Sequence, residues 1–211
     1  MKKILVGLVV LFWAGSALAQ GRYRENYLAP SAGYGHGQNN FQELDNIFVY
    51  NLWYSYWMND TSTLDISMTY LQSRYDVSVI NQNGPNKTVH PSWDMLSGQV
   101  GIRYIPQWDF FLNFGFGAGL GYEGWSVSKG GDEVKGRSGS GLIYYLLADV
   151  EYPIRPWLSL GLFAQPYYLP LHERLEKSVI LYSDGQEGHK YDKLRNGFIV
   201  DTGLWLMVRF Y

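Results

Sequence analysis

No cysteine occurs among the 211 residues. That excludes disulfide bonds, thiolate metal sites and the lipid-modified cysteine of a lipoprotein, so the chain needs a source of stability other than disulfides. Past residue 19 the sequence also lacks any apolar run long enough for a helix to cross a bilayer core of about 30 Å. Basic residues are not in excess either, with 17 Lys and Arg against 19 Asp and Glu, and no basic stretch points to nucleic acid. What the chain has is aromatic side chains, 17% of the total, with 18 Tyr and 8 Trp beside 24 Gly. Abundant Tyr and Trp without a helical span is the profile of β-structure at a membrane–water interface.

The N-terminus reads as a signal peptide over residues 1–19. Lys2 and Lys3 form a positive start, Ile4 to Ala14 an apolar stretch, and Ala17-Leu18-Ala19 a small-x-small cleavage site before Gln20. The stretch is short for a membrane anchor, and no cationic stop-transfer cluster follows it. Residues 20–211 are then expected to form one domain, a mature chain whose net charge is −4 once Lys2 and Lys3 are removed.

Period-2 alternation dominates from residue 46 onward. Phe48, Tyr50, Leu52, Tyr54 and Tyr56 share one face; Asn51 and Ser55 lie on the other with Trp53 and Trp57. Leu64, Ile66, Met68 and Tyr70 oppose Asp65, Ser67 and Thr69, and Leu96, Val100, Ile102 and Tyr104 oppose Ser97, Gln99 and Arg103. Residues 107–127 set Phe110, Leu112, Phe114, Phe116, Ala118, Leu120 and Tyr122 against Asp109, Asn113, four glycines and Glu123. Three more segments follow the rule, with Asp149 and Glu151, then Ser159 and Gln165, then Asp201 and Arg209 on their polar faces.

A soluble β-sandwich alternates as well, but its apolar face is the shared core and its polar face lies in water. The connections decide. Asn59-Asp60-Thr61, Ile105-Pro106-Gln107 and Pro153 to Pro156 read as tight turns, whereas 81–92, 128–138 and 170–196 are long. Short turns on one side and long polar loops on the other predict an all-β, eight-stranded antiparallel transmembrane β-barrel with short periplasmic turns and long extracellular loops. Seven strands are plain. Even strand number requires an eighth within 21–37, where alternation is poor; an amphipathic segment at the membrane surface is the alternative. Around Ser178 to Tyr182, before a Ser183-Asp184-Gly185 turn, the longest loop reads as two strands continuing past the membrane as a protruding hairpin.

With these residues in view, the chain resembles the small eight-stranded outer-membrane barrels of the OmpA, OmpX and OmpW group. GQVGIRYIPQWDFFLNFGFGAGLGYEGW, residues 98–125, is similar to their recurring pair of a strand ending in Tyr before a Pro-containing turn and a glycine-alternating strand. LLADVEYPIRPWLSLGLFAQPYY resembles the following hairpin, and LWLMVRFY the terminal strand, though Tyr211 extends one residue past the usual final aromatic. The resemblance implies the bacterial outer membrane and folding by the barrel-assembly machinery, which reads the final strand through Leu204, Leu206, Val208, Phe210 and Tyr211. The hairpin favours an OmpX-like shape.

An eight-stranded barrel is just wide enough for side chains to fill it. The inward set contains Asp65, Arg103, Asp109, Glu123, Asp149, Glu151, Asp201 and Arg209. These read as an ion network that satisfies buried charge, or as the gate of a narrow pore; inward Trp53, Trp57, Phe111, Tyr145, Trp157, Phe163 and Trp205 occupy volume and favour the former. Gly115, Gly117, Gly119 and Gly121 match no phosphate-binding pattern and are expected to make room for large inward neighbours. For enzymatic chemistry the candidates are His90, Ser92 and Asp94, with His36 as a distant partner. Residues i and i+2 on a strand stand about 7 Å apart, beyond the reach that a base and nucleophile need. Pro166 and Pro170 suggest either a weakened seam that admits lipid, as in palmitoyltransferase barrels, or simply the end of a strand. No cofactor and no metal are expected.

The expectation is therefore a monomer integral to the outer membrane, with a filled interior, among lipid and lipopolysaccharide. Its loops and hairpin would bind an external protein or lipopolysaccharide. A narrow pore for small or hydrophobic solutes and a lipid A acyltransferase or deacylase are the alternatives.

Overall fold

The computed structural model describes residues 26–39, 41, 44–81, 84–106, 112–129, 136–172, 178–181, 187–188 and 195–210. Its strands are β1 (Asn26–Asn39), β2 (Asp45–Asn59), β3 (Ser62–Arg74), β4 (Val77–Asn81), β5 (Lys87–Val89) and β6 (Ser92–Tyr104). They continue with β7 (Asn113–Val127), β8 (Arg137–Arg155), β9 (Leu158–His172), β10 (Ser178–Leu181), β11 (Glu187–Gly188) and β12 (Arg195–Phe210). Eight of them close a barrel in the order β1-β12-β9-β8-β7-β6-β3-β2, with every neighbouring pair antiparallel.

The register fixes the shape. Tracing paired residues around the wall runs from Tyr27 through Ser55, Asp65, Gly101, Gly119, Tyr145, Tyr167 and Ile199, and returns to β1 at Gly37. Closure ten residues along the starting strand tilts the strands by about 40° and sets a backbone radius of about 8 Å. Such a barrel is filled by its own inward side chains.

The outside is apolar. Leu146, Leu162, Ile102, Phe116 and Leu204 are more than half exposed, while Asp65, Arg103, Gln165 and Asp201 are buried. That inverts the pattern of a soluble domain. Aromatic rows bound this surface: Tyr34, Phe48, Tyr50, Tyr122, Tyr144 and Tyr168 near one end, Tyr104, Phe116, Tyr152 and Phe210 near the other. From Tyr144 to Tyr152 on β8 is eight residues, about 20 Å along the axis at this tilt, close to the height of an outer-membrane apolar band.

β1 is the eighth strand, and its weak alternation has a physical cause. Its inward residues above Tyr27 and Ala29 are Ser31, Gly33, Gly35 and Gly37, so no large inward side chain marks the period. A Cβ on Gly33 would run into the backbone of Thr202 and Gly203 on β12. Prolines leave gaps in two ladders: β1–β12 pairing steps from Leu28 to Ser31 around Pro30, and β8–β9 pairing from Tyr145 to Ala148 opposite Pro166. Pro166 thus sits within β9, which runs on to His172, and does not mark the strand's end.

Two-residue turns join β2 to β3 and β8 to β9. β6 ends at Tyr104 and β7 begins at Asn113; of the tight turn expected at Ile105-Pro106-Gln107, Gln107 lies outside the described residues, as do residues 108–111. Trp157, expected inside, occupies the β8–β9 turn and is 55% exposed, because the chain reverses there before the inward parity resumes at Ser159.

At the other end, here the loop end, the two strands expected in the longest loop are present as β10 and β11, and they form part of a separate sheet of order β11-β10-β4-β5. β10 and β11 are antiparallel, but β10 pairs in parallel with β4, which belongs to the connection between β3 and β6. Two loops distant in sequence therefore share one sheet. β4 carries the alternation that seats it: Tyr75, Val77 and Val79 are buried, whereas Asp76, Ser78 and Ile80 are exposed.

Candidate functional site

The barrel interior is layered. At the turn end Arg103 reaches Asp65 (Nε to Oδ2, 3.3 Å) and Asp149 (Nη1 to Oδ2, 3.4 Å), each of these side chains at most 3% exposed. Nη2 donates to Ser55 Oγ at 3.4 Å, and Thr63 Oγ1 donates to Asp65 Oδ1 at 2.8 Å. Nearby, Arg209 pairs with Glu151, donates to Ser159 Oγ at 3.3 Å and lies over the Tyr27 ring. Glycines make the space: a Cβ on Gly115 would occupy the Asp149 carboxylate, and one on Gly117 would press on Arg103.

Above the charges lies an aromatic layer. Trp53 meets Trp205 edge-on (6.2 Å, 90°) and Tyr145 likewise (6.1 Å, 79°), and Phe163 packs on Trp205 at 5.8 Å. The Arg103 guanidinium stands over the Trp205 ring at 5.1 Å, a cation–π contact joining the two layers. Next comes an amide and hydroxyl belt that crosses the lumen. Gln165 Nε2 donates to Gln99 Oε1 (3.0 Å), Gln99 Nε2 to Thr69 Oγ1 (3.0 Å) and Ser97 Oγ (2.8 Å), and Tyr167 to Gln165 Oε1 (2.7 Å). Finally an apolar plug of Ile47, Val49, Leu71, Met95, Ile143, Leu169 and Ile199 fills the loop end, overlain by Phe41, Tyr75, Trp93 and Trp125. β4 joins this plug through Val77, and Val89 of β5 packs against it, so the loop sheet rests on the plug.

The eight charges expected to form one network are divided. Asp65, Arg103 and Asp149 meet, and so do Glu151 and Arg209. Asp201 lies higher, in the belt, where Asn51 Nδ2 donates to its Oδ2 at 3.3 Å. Glu123 sits at the plug, and its Oε2 has no hydrogen-bond partner among the described residues. The register is the reason, since Asp201 pairs with Gln165 rather than with any strand position that carries a cation. Asp109, Phe111 and Tyr211 lie outside the described residues, as do residues 1–19. Leu204, Leu206, Val208 and Phe210 all face outward on β12.

His90 and Ser92 are not brought together. His90 Nδ1 contacts Asp76 Oδ1 at 2.6 Å in the loop sheet, whereas Ser92 Oγ donates to Asp94 Oδ2 at 3.4 Å and Tyr70 OH to Asp94 Oδ1 at 2.7 Å. Ser92 and Asp94 share Leu96's outward parity, and His36 faces outward on β1, across the barrel. No base–nucleophile pair forms from them. Sequence reasoning missed the β4–β10 pairing and the Gln99–Gln165 bridge; only the inward parity of both glutamines hinted at the latter.

Solved structures share this architecture. Neisserial surface protein A (NspA) superposes with a TM-score of 0.60 at 15% identity, covering 89% of this chain and 100% of that one. A major outer membrane protein from Thermus thermophilus gives 0.54 at 12% identity over 89% and 100%. Ail, the attachment invasion locus protein of Yersinia pestis, gives 0.51 at 14% identity over 90% and 100%. No protein-family model and no curated protein matches the sequence. At such identities the likeness is one of fold: this chain has the fold of the small eight-stranded outer-membrane barrels.

Proposed function

We propose that the chain is an outer-membrane surface protein, a monomeric barrel whose loop end faces outward and whose loop sheet binds an external protein or lipopolysaccharide. The observation that carries this reading is the filled, layered lumen with a separate sheet packed on its loop-end plug. A conduit needs a continuous polar path, and here an amide belt is closed below by Trp53 and Trp205 and above by an apolar plug. What remains for a partner is the loop end. Exposed Asp76, Lys87, Thr88 and His90 present mixed charge there, and β5 and β11 are short strands at the sheet's edges. The apolar band with its aromatic rows supports membrane insertion, and the fold it shares with Ail and NspA supports the outer membrane as the site. Export by residues 1–19, and folding by the barrel-assembly machinery through the β12 outward face, complete the proposal.

Purified protein in planar bilayers is expected to show no steady conductance above background; a stable open current would sink the filled-barrel reading. Orientation has its own test, made clean by the absence of native cysteine. Thr88→Cys is expected to react with a membrane-impermeant maleimide on intact cells, and Asp60→Cys only after the outer membrane is permeabilised. The reverse pattern would place the loop end in the periplasm.

A further inference from the structure

β2 does not pair evenly with β3 at the loop end. Asp45 faces Arg74 and Phe48 faces Gln72, so Asn46 and Ile47 together oppose a single residue, Ser73. This is a β-bulge, and Asn46 takes a left-handed conformation there (φ 44°), which few residues other than glycine adopt. Bulges re-aim side chains, and strained backbone recurs where ligands are held. Here the bulge opens a cleft of about 300 Å³ lined by Asn46, Phe48, Gln72, Ser73 and Arg74.

The cleft holds an unused cation. Among the described residues Arg74 forms no ion pair, and it is exposed. On β6 the nearby carboxylate, Asp94, is already engaged by Tyr70 and Ser92, and the side chain of Asp45, the register partner of Arg74 on β2, lies outside what the structure describes. Arg74, Gln72 and Asn46 thus offer a guanidinium fork and two amides, a donor set suited to phosphate oxygens.

Phe48 forms a wall of this cleft and of a second, larger depression. The second is a groove of about 690 Å³ on the outward face of the β1–β12 seam. Its floor is shallow because Ala32, Gly33 and Gly203 carry little or no side chain, and Tyr34, Tyr50 and Leu204 stand beside it. The polar cleft lies at the rim of the apolar band and the apolar groove lies within the band. From rim to belt, the surface is shaped and coloured like an amphiphile.

We infer that the cleft and groove are one site for a lipid of the surrounding leaflet that carries net negative charge on its phosphate, the phosphate on Arg74, Gln72 and Asn46 and an acyl chain along the Phe48–Leu204 groove. The inference rests on the surface-barrel reading, which puts the loop end at the outer leaflet; it adds a lipid ligand class and an address on the wall, apart from the loop sheet. A soluble anion would use the cleft and ignore the groove, whereas a neutral lipid would use the groove and ignore Arg74.

The test is lipid retention. The protein is reconstituted in phosphatidylcholine nanodiscs containing lipid A, extracted in mild detergent, and its bound lipid counted by native mass spectrometry. The wild type is expected to keep one lipid A in preference to phosphatidylcholine. Arg74→Gln should lower that occupancy about tenfold, the loss of a charge-assisted contact. Ala32→Trp, which fills the groove from the lipid side, should lower it similarly, and Arg155→Gln, an exposed arginine at the turn end, should leave it unchanged. Gel mobility before and after heating confirms that each variant is a folded barrel; should Arg74→Gln fail to fold, Gln72→Ala replaces it. No retention, equal retention of phosphatidylcholine, or equal loss from Arg74→Gln and Arg155→Gln overturns the inference. Those results leave the surface-barrel reading standing, since conductance and cysteine labelling decide that independently.

Discussion

Replacing Arg103 by methionine is expected to destabilise the barrel by about 3–5 kcal/mol, the cost of removing one partner from a buried ion cluster. The guanidinium is the common partner of Asp65 and Asp149, and all three side chains are almost wholly out of solvent. Without it two carboxylates remain near each other, both buried. Asp65 retains Thr63, but a single hydroxyl does not replace a cation. Arg103→Lys should fall between wild type and methionine, because one ammonium cannot fork between two carboxylates while lying flat on Trp205. The triple change Arg103→Met, Asp65→Asn and Asp149→Asn should recover most of the loss, since neutral partners leave no uncompensated charge. Urea unfolding in lipid micelles, followed by tryptophan fluorescence, measures all of these. A loss below about 1 kcal/mol for Arg103→Met, the range of an exposed pair, would show that the cluster is not closed to water.

The same arginine explains how far the sequence could be read. Alternation told which residues point inward because a strand's period is two, so Asp65, Arg103, Asp149, Glu151 and Arg209 were legible as interior from the strands alone. Which of them meet depends on shear, a property of the closed wall rather than of any strand. Shear lifts Asp201 into the amide belt beside Asn51 and brings Arg103 to Asp149, 46 residues away in the chain. β1 was nearly invisible because Gly33, Gly35 and Gly37 erase the inward half of its pattern. Trp157 was misplaced because parity carries across a turn only if the turn's residue count is known. The parallel β4–β10 pairing joins two loops about a hundred residues apart, and neither carries a local signal for the other. The cleft at Asn46 was illegible for a related reason: a bulge is a mismatch between two strands, and one strand read alone cannot reveal it.

Trp205 should be the costliest apolar side chain to truncate, with Trp205→Ala losing about 3–5 kcal/mol. It touches Trp53, Phe163 and Arg103, so its removal opens a cavity at the junction of the aromatic and charged layers. Trp205→Phe should cost far less, because the indole Nε1 is buried without a hydrogen-bond partner and its loss removes an unsatisfied donor. The complementary change lies on β9. Gly161 pairs with Trp205, and a Cβ built there falls within the indole, against Nε1 and Cδ1. Gly161→Ala in the wild type should therefore cost about 1–3 kcal/mol through overpacking. In the Trp205→Ala background the same substitution should cost much less, with a remainder from the Val150 carbonyl oxygen, which the Cβ would still approach to 2.8 Å. The two sites are thus expected to couple strongly in a double-mutant cycle of unfolding free energies, whereas independent sites would add within a few tenths of a kcal/mol. Additivity would mean that the indole does not occupy the space glycine leaves, and the argument that inward glycines exist to seat inward aromatics would fail at its tightest contact. Coupling would extend it to Gly119 under Tyr145 and Gly139 under Trp125, where a Cβ would likewise meet the ring.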